Sequence, residues 1–199
     1  MATQTDNSKY GDILNTGREL FWKHGIRRVS VEEICLEAGV SKMTFYRFFP
    51  NKVELAKTIL QQQFDKSMVE YRTLMDSDIS FEEKVRQQLL LKFQGTKEIS
   101  AELVKDIYSN QAWGLSEYME QRTNEALVIF MHDYTQAQNK GFLRKDVKLE
   151  FLLYFLNQMA AWVSDERLLA HYDHAQDLIM EIANFFFYGI LPHEKRTDG

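Results

Sequence analysis

The feature that most limits what this chain can become is a pair of helix-starting serines with one glycine between them. Ser30-Val31-Glu32-Glu33 is a capping box: the hydroxyl takes an orphan backbone N–H while the glutamate reaches back. Val31, Ile34, Cys35 and Ala38 then recur on one helical face, and Gly39 ends the segment where a positive φ is needed. Ser41 caps the next helix after only Gly39-Val40. Pro50-Asn51 breaks that helix, and Asn51 with Glu54 opens a fourth that runs to about Met75. Two short helices joined by a Gly-containing turn describe a helix-turn-helix. Their apolar faces need a cover, and Ile13, Leu14, Gly17, Leu20 and Phe21 supply it at helical spacing, with Gly25 as the stop.

The third helix, in "GVSKMTFYRFFPNKVEL", crowds four aromatics around Arg47. At about 100° per residue, Phe45 and Phe49 fall together on the core side, with Phe48 beside them. Met43, Thr44 and Arg47 fall opposite, Tyr46 lies at the flank and Lys42 near the N-terminal end. Such a set suits a helix end in a major groove. Arg binds guanine bidentately, and Thr or Met touches a thymine methyl. Lys, Tyr and Ser fix phosphates, so Ser30, Ser41, Lys42 and Tyr46 join the expected contacts. Lys52, in the first turn of the fourth helix, is unfavourable for the helix dipole, and a bound phosphate would account for it. The bland alternative is a merely solvated face.

The stretch from Ile13 to Leu55 resembles the N-terminal domain of TetR-family transcriptional regulators. The resemblance rests on Phe21 and Gly25, Ser30-Val31, Ile34-Cys35-Leu36-Glu37-Ala38-Gly39-Val40-Ser41, Thr44-Phe45-Tyr46, Phe49, Lys52 and Leu55, without a gap. Met43 stands where the family favours a small residue, and Phe48 where His or Tyr is common, so an operator preference does not transfer. The resemblance implies a homodimeric repressor-like switch on double-stranded DNA. Two heads would lie in successive major grooves about 34–36 Å apart on a palindromic operator, and a small effector in the body would change their spacing.

Charge agrees. The chain has 199 residues and a net charge of -5, unevenly divided. Residues 1–60 hold nine Lys/Arg against seven Asp/Glu (9 - 7 = +2), and the rest hold 15 against 22 (15 - 22 = -7). A basic head on an acidic body places any nucleic-acid contact at the N-terminal end. One cysteine, Cys35, excludes an intrachain disulfide and fits a core position. The polar N-terminus has no apolar signal core and no stretch reaches membrane-span length, so a cytoplasmic location is expected.

Beyond residue 76 the pattern is helical throughout, with stretches opened by Ser80 to about Phe93 and then at about 99–112, 115–139, 147–165 and 174–190. Asp146 is expected to cap the fourth of these, and "HEKRTDG" is a polar tail. The fold class is therefore all-α: a three-helix N-terminal helix-turn-helix domain, 6–66, plus a larger helical effector-binding and dimerisation domain, 67–199. Helices apolar nearly all round must be buried nearly all round. Leu152, Phe155, Leu156, Met159 and Val163 form one such stripe, and Leu178, Ile182 and Phe186 belong to a second; both are assigned to a four-helix dimer interface. Phe151, Tyr154 and Trp162 make another stripe. Tyr108, Trp113, Phe130, Tyr134, Tyr154 and Trp162 are the candidate lining of an effector pocket for an apolar or aromatic molecule, against the plainer reading that they are core.

No phosphate loop, nucleophile elbow or zinc-protease motif occurs, so neither an enzyme nor a cofactor is expected. His171-x-x-His174-x-x-Asp177 reads as a surface cluster and no metal is assigned. Two other classes compete with a ligand-responsive regulator: a DNA-bound architectural or interaction protein without effector response, and an all-helical enzyme or carrier. The head argues against the last.

Overall fold

The computed structural model describes residues 4–192, so the polar tail lies outside the described residues. Ten α-helices and no strand occur among them. The head comprises α1 (Gln4–His24), α2 (Val31–Glu37), α3 (Lys42–Phe48) and the start of α4 (Lys52–Asp76). The body follows as α5 (Phe81–Gly95), α6 (Ala101–Ser109), α7 (Leu115–Asn139), α8 (Leu149–Ser164), α9 (Glu166–Leu169) and α10 (Ala175–Ile190). One 3-10 turn, Gln111–Trp113, leads into α7.

Local chemistry sets most of these boundaries. Ser30 makes the complete capping box with Glu33, Ser41 accepts from the Thr44 N–H, and Asn51 accepts from both Val53 and Glu54. Gly39 has φ 64°, the left-handed value the tight turn requires. At Ser80 only half of the box forms: the hydroxyl accepts from the Glu83 N–H, while the Glu83 carboxylate takes Gln87 and Arg86 instead. Asp146 does not cap α8. Its carboxylate is held by the Arg144 guanidinium at 2.6 Å, and α8 begins after Lys148 with no side-chain cap. The short α9 was not expected, and Asp165 starts it by accepting from the Arg167 N–H.

Packing then joins the pieces. Gly17 lets α1 lie close on α4, since a Cβ there would fall 2.8 Å from Leu55 Cδ2. The head's core, built on Ile13, Phe21, Ile26, Val29, Ile34, Phe45 and Leu55, continues without a break into Leu103, Ile107 and Leu115 of the body. In the body, the Tyr71 hydroxyl donates to Asp133 at 2.8 Å and Arg122 pairs with Asp65, tying α4 to α7. Burial, with Tyr134 and Asp133 adding to it, pushes the Tyr71 phenol well above its ordinary range, so it stays a donor.

The apolar stripes of α8 and α10 divide between the interior and the surface of the protomer. Leu152, Leu178 and Phe186 are buried within the protomer, Phe155, Leu156, Val163 and Ile182 are half-buried against the same cores, and Met159 is half-buried. Of the eight residues assigned to a partner, three are thus enclosed by the protomer and five keep part of their surface open. The outward apolar residues of these helices are Phe151, Leu153, Tyr154, Phe185 and Tyr188.

Candidate nucleic-acid interface

α3 is held from beneath and open above. Phe45 and Phe49 are buried, and Tyr10 of α1 stacks on Phe49 at 5.4 Å and meets Phe48 edge-on at 5.5 Å. The aromatic crowding therefore fastens the helix to α1, as helical geometry leads one to expect. On the other side Met43 is 83% exposed and Tyr46 53%, and Arg47 is exposed with its guanidinium over the Phe48 ring at 4.8 Å. A half-buried aromatic platform restricts a long side chain, which lowers the entropy lost on contact. Phe48 acts here through Arg47.

The serines and Thr44 form the rim. The Ser41 hydroxyl accepts from the Thr44 N–H at 3.1 Å and lies 2.9 Å from the Thr44 hydroxyl. Ser30 is occupied as the α2 cap at 3.1 Å. Both hydroxyls keep a lone pair or proton free to meet a phosphate.

Lys42 and Lys52 depart from a simple basic face. Lys42 is paired with Glu32 across the turn. That pairing raises the ammonium pKa and lowers the carboxylate's, so both groups stay charged. Both side chains are exposed, and such pairs are weak enough for a phosphate to replace the carboxylate. Lys52 is turned inward: its ammonium donates to the carbonyls of Arg27 at 2.9 Å and Val29 at 2.7 Å. Burial depresses its pKa, with the charge of Asp106 acting against the shift. Two of its three donors are thus satisfied by the protein, where the sequence pattern alone calls for a phosphate.

Leu36 was not anticipated. It is 83% exposed on α2, one turn beyond Glu32 and out of step with the buried Ile34 and Cys35. An apolar residue breaking the inward pattern beside the turn is the signal that marks it. Cys35 itself is buried, and its thiol pKa is raised by burial and then by Glu32, which keeps it protonated.

The six candidate pocket aromatics fall in different parts of the body. Tyr108 and Trp113 pack against the head's core, and Phe130 and Tyr134 belong to the α7–α10 core with Tyr134 buried. Tyr154 faces outward, and Trp162 meets Phe155 edge-on at 5.0 Å. Two open clefts lie elsewhere. One of about 540 Å³ at the head–body junction is lined by Lys23, His24, Arg27, Arg28, Lys105 and Asp106, among others. The other, about 780 Å³, runs between the ends of α4, α5 and α7 past Met75, Ile79, Phe81, Asp133, Gln136 and Phe142. His171 and His174 are exposed in the turn between α9 and α10.

A tripod of helices that buries two phenylalanines and leaves a methionine, a tyrosine and an arginine outward is a helix-turn-helix DNA-binding head, here on a helical body. Residues 13–59 match the model of bacterial regulatory proteins of the tetR family. The head is thus a TetR-type helix-turn-helix domain, and TetR-family transcriptional regulators are a non-enzymatic, DNA-binding family. It is similar to the HTH-type transcriptional repressor KstR2 of Mycobacterium tuberculosis, 24% identical over 163 residues, 79% of this chain and 80% of that one. The Transposon Tn10 TetC protein of Escherichia coli is 39% identical over 56 residues, 28% of each chain. Among solved structures, the fatty acid degradation regulator FadR of Bacillus halodurans superposes with TM-score 0.69 at 17% identity, covering 94% of this chain and 97% of that one. KstR2 of M. tuberculosis, a ketosteroid transcriptional regulator, superposes with TM-score 0.61 at 20% identity and the same coverage. Among the described residues, no helix is long and apolar enough to cross a membrane.

Proposed function

We propose that this regulator is a repressor: a homodimer that sets two α3 helices in successive major grooves of a palindromic operator, in the cytoplasm, until a small apolar or aromatic effector releases it. The observation that carries the reading is the outward face of α3. Arg47 reads guanine, Met43 and Thr44 meet thymine methyls, and Lys42, Tyr46, Ser41 and Ser30 take phosphates. The divide between the base-reading head, 6–66, and the switching body, 67–199, follows from the same assignment.

The outward row of Phe151, Tyr154, Phe185 and Tyr188 supports dimerisation, because an apolar patch on two adjacent helices is costly to leave in water. An effector of apolar character is supported by two neighbours, one a ketosteroid regulator and the other a regulator of fatty acid degradation. The cleft past Met75, Ile79, Phe81 and Phe142, with Asp133, Gln136, Lys84 and Lys140 among its polar groups, offers such a molecule a wall and an anchor.

Selection of bound duplexes from a random pool, with and without cell extract, tests the reading. A recovered palindrome released by an extract component is expected. Failure to enrich any sequence would refute operator binding, and a palindrome that no extract component releases would favour an architectural protein.

A further inference from the structure

The connection between α1 and α2 is gripped from both sides. It runs from Gly25 to Val29, short and without slack, since Ile26 and Val29 are fully buried. From the head side, Lys52 donates to the Arg27 and Val29 carbonyls. From the body side, the Arg27 N–H donates to Asp106 Oδ2 at 2.7 Å, across 79 positions of sequence. The same carboxylate lies 3.6 Å from Arg27 Nε. A charged acceptor so nearly buried is held where it is needed, because leaving it unpaired there is expensive.

Asp106 has little freedom to let go. Its neighbours Leu103 and Ile107 are buried in the core shared with the head, and the start of α6 is tied to α1 by the Ser100 N–H on the Trp22 carbonyl at 2.9 Å. Gly25 records how closely the chains approach: a Cβ there would fall 2.8 Å from Asp106 Oδ2 and 3.2 Å from the Glu102 backbone. α2 begins directly after this connection, and α3 is packed on α2.

We propose that Asp106 is a positioning residue for DNA recognition, clamping the Gly25–Val29 connection against Lys52 so that α2 and α3 stand at a fixed height on the body. Lys52 then belongs to the clamp and not to the phosphate contacts. The proposal rests on the DNA-binding reading for its functional part, and on the connection alone for its structural part.

The test uses the full chain as Asp106→Leu, Asp106→Asn, Lys52→Met and the Leu/Met double variant. Amide hydrogen exchange at Arg27 is followed without DNA, and operator affinity is titrated against salt. Asp106→Leu is expected to speed Arg27 exchange and weaken operator binding by about tenfold or more, the scale of one charged hydrogen bond. Asp106→Asn, which keeps an acceptor oxygen, is expected to restore most of both. Lys52→Met is expected to weaken binding with an unchanged salt slope, and the double variant to lose less than the two singles combined. A salt slope lowered by about one in Lys52→Met would make Lys52 a phosphate contact and overturn the clamp. Wild-type affinity in Asp106→Leu would overturn the positioning role. Should Asp106→Leu not fold, the Asn variant and the wild-type exchange rate decide: an Arg27 amide as fast as an open loop's defeats the proposal. If no duplex is enriched at all, the exchange arm still tests the clamp while the DNA reading fails separately.

Discussion

Gly25→Ala puts the head–body junction under the sharpest available strain. Two costs add at this position. Gly25 has φ 77°, and a side chain in the left-handed region costs about 1–2 kcal/mol. Loss of glycine's freedom in the unfolded chain returns about 0.4–1 kcal/mol. The new methyl group also cannot sit 2.8 Å from Asp106 Oδ2 and 3.2 Å from the Glu102 carbonyl carbon, so α6 must withdraw. Withdrawal breaks the 2.7 Å Arg27–Asp106 bond, and a hydrogen bond to a charged group is worth about 1.5–3 kcal/mol. The net expectation is about 2–4 kcal/mol, which for a chain of this size lowers Tm by roughly 5–15 °C. Gly141→Ala is the control, because Gly141 has φ 80° with nothing within 4 Å of its Cβ position, so only the backbone cost applies. Differential scanning calorimetry of both variants checks the difference. Equal losses at Gly25 and Gly141 would refute the close contact as a source of destabilisation.

Three further outcomes follow from the same structure. Arg47→Ala is expected to weaken operator binding by about 1–3 kcal/mol and relax one base position; a uniform loss across all sequences in a binding-site selection would remove its base-reading role. Phe185→Asp, at a side chain 75% exposed in the protomer, is expected to give a monomer in sedimentation velocity, and the unaltered chain is expected to sediment as a dimer. A wild-type monomer at micromolar concentration would end the dimer proposal. The Asp165 carboxyl is held down from its ordinary 3.8 to about 2 by hydrogen bonds from the Arg167 side chain and backbone. A depressed folded-state value means that this contact is fully present above about pH 3.8 and is lost as pH falls toward 2. An NMR titration should show that midpoint, and Arg167→Ala should raise it; an unmoved midpoint in the variant would show that Arg167 is not the cause.

What could be read without coordinates was what local chemistry decides. The caps at Ser30, Ser41 and Asn51 and the left-handed turn at Gly39 act within a few residues, so the head's helices and their order were legible. So was the split of the aromatics, since a period of 3.6 separates Phe45 and Phe49 from Met43 and Arg47. The same local logic failed where a nearer partner competed. Arg144 took Asp146 away from capping α8, and Arg86 with Gln87 took Glu83 out of its box.

Contacts distant in sequence were invisible because no periodicity encodes them. Lys52 could be placed on the first turn of α4, but its ammonium's destination lies 25 and 23 residues back in a connection of irregular backbone. The carboxylate completing that grip lies on another helix altogether. For α8 and α10 the pattern was apolar on more than one side, and hydrophobicity alone does not say which side faces its own core. Packing turned Leu152, Leu178 and Phe186 inward and left Phe151, Tyr154, Phe185 and Tyr188 outside. The sequence by itself thus determined that this chain builds a helix-turn-helix with Arg47 and Met43 facing out, because helix geometry and capping are short-range. Only the tertiary structure decided how that head is held on its body and which apolar face is left over, because both depend on which buried groups meet across the folded chain.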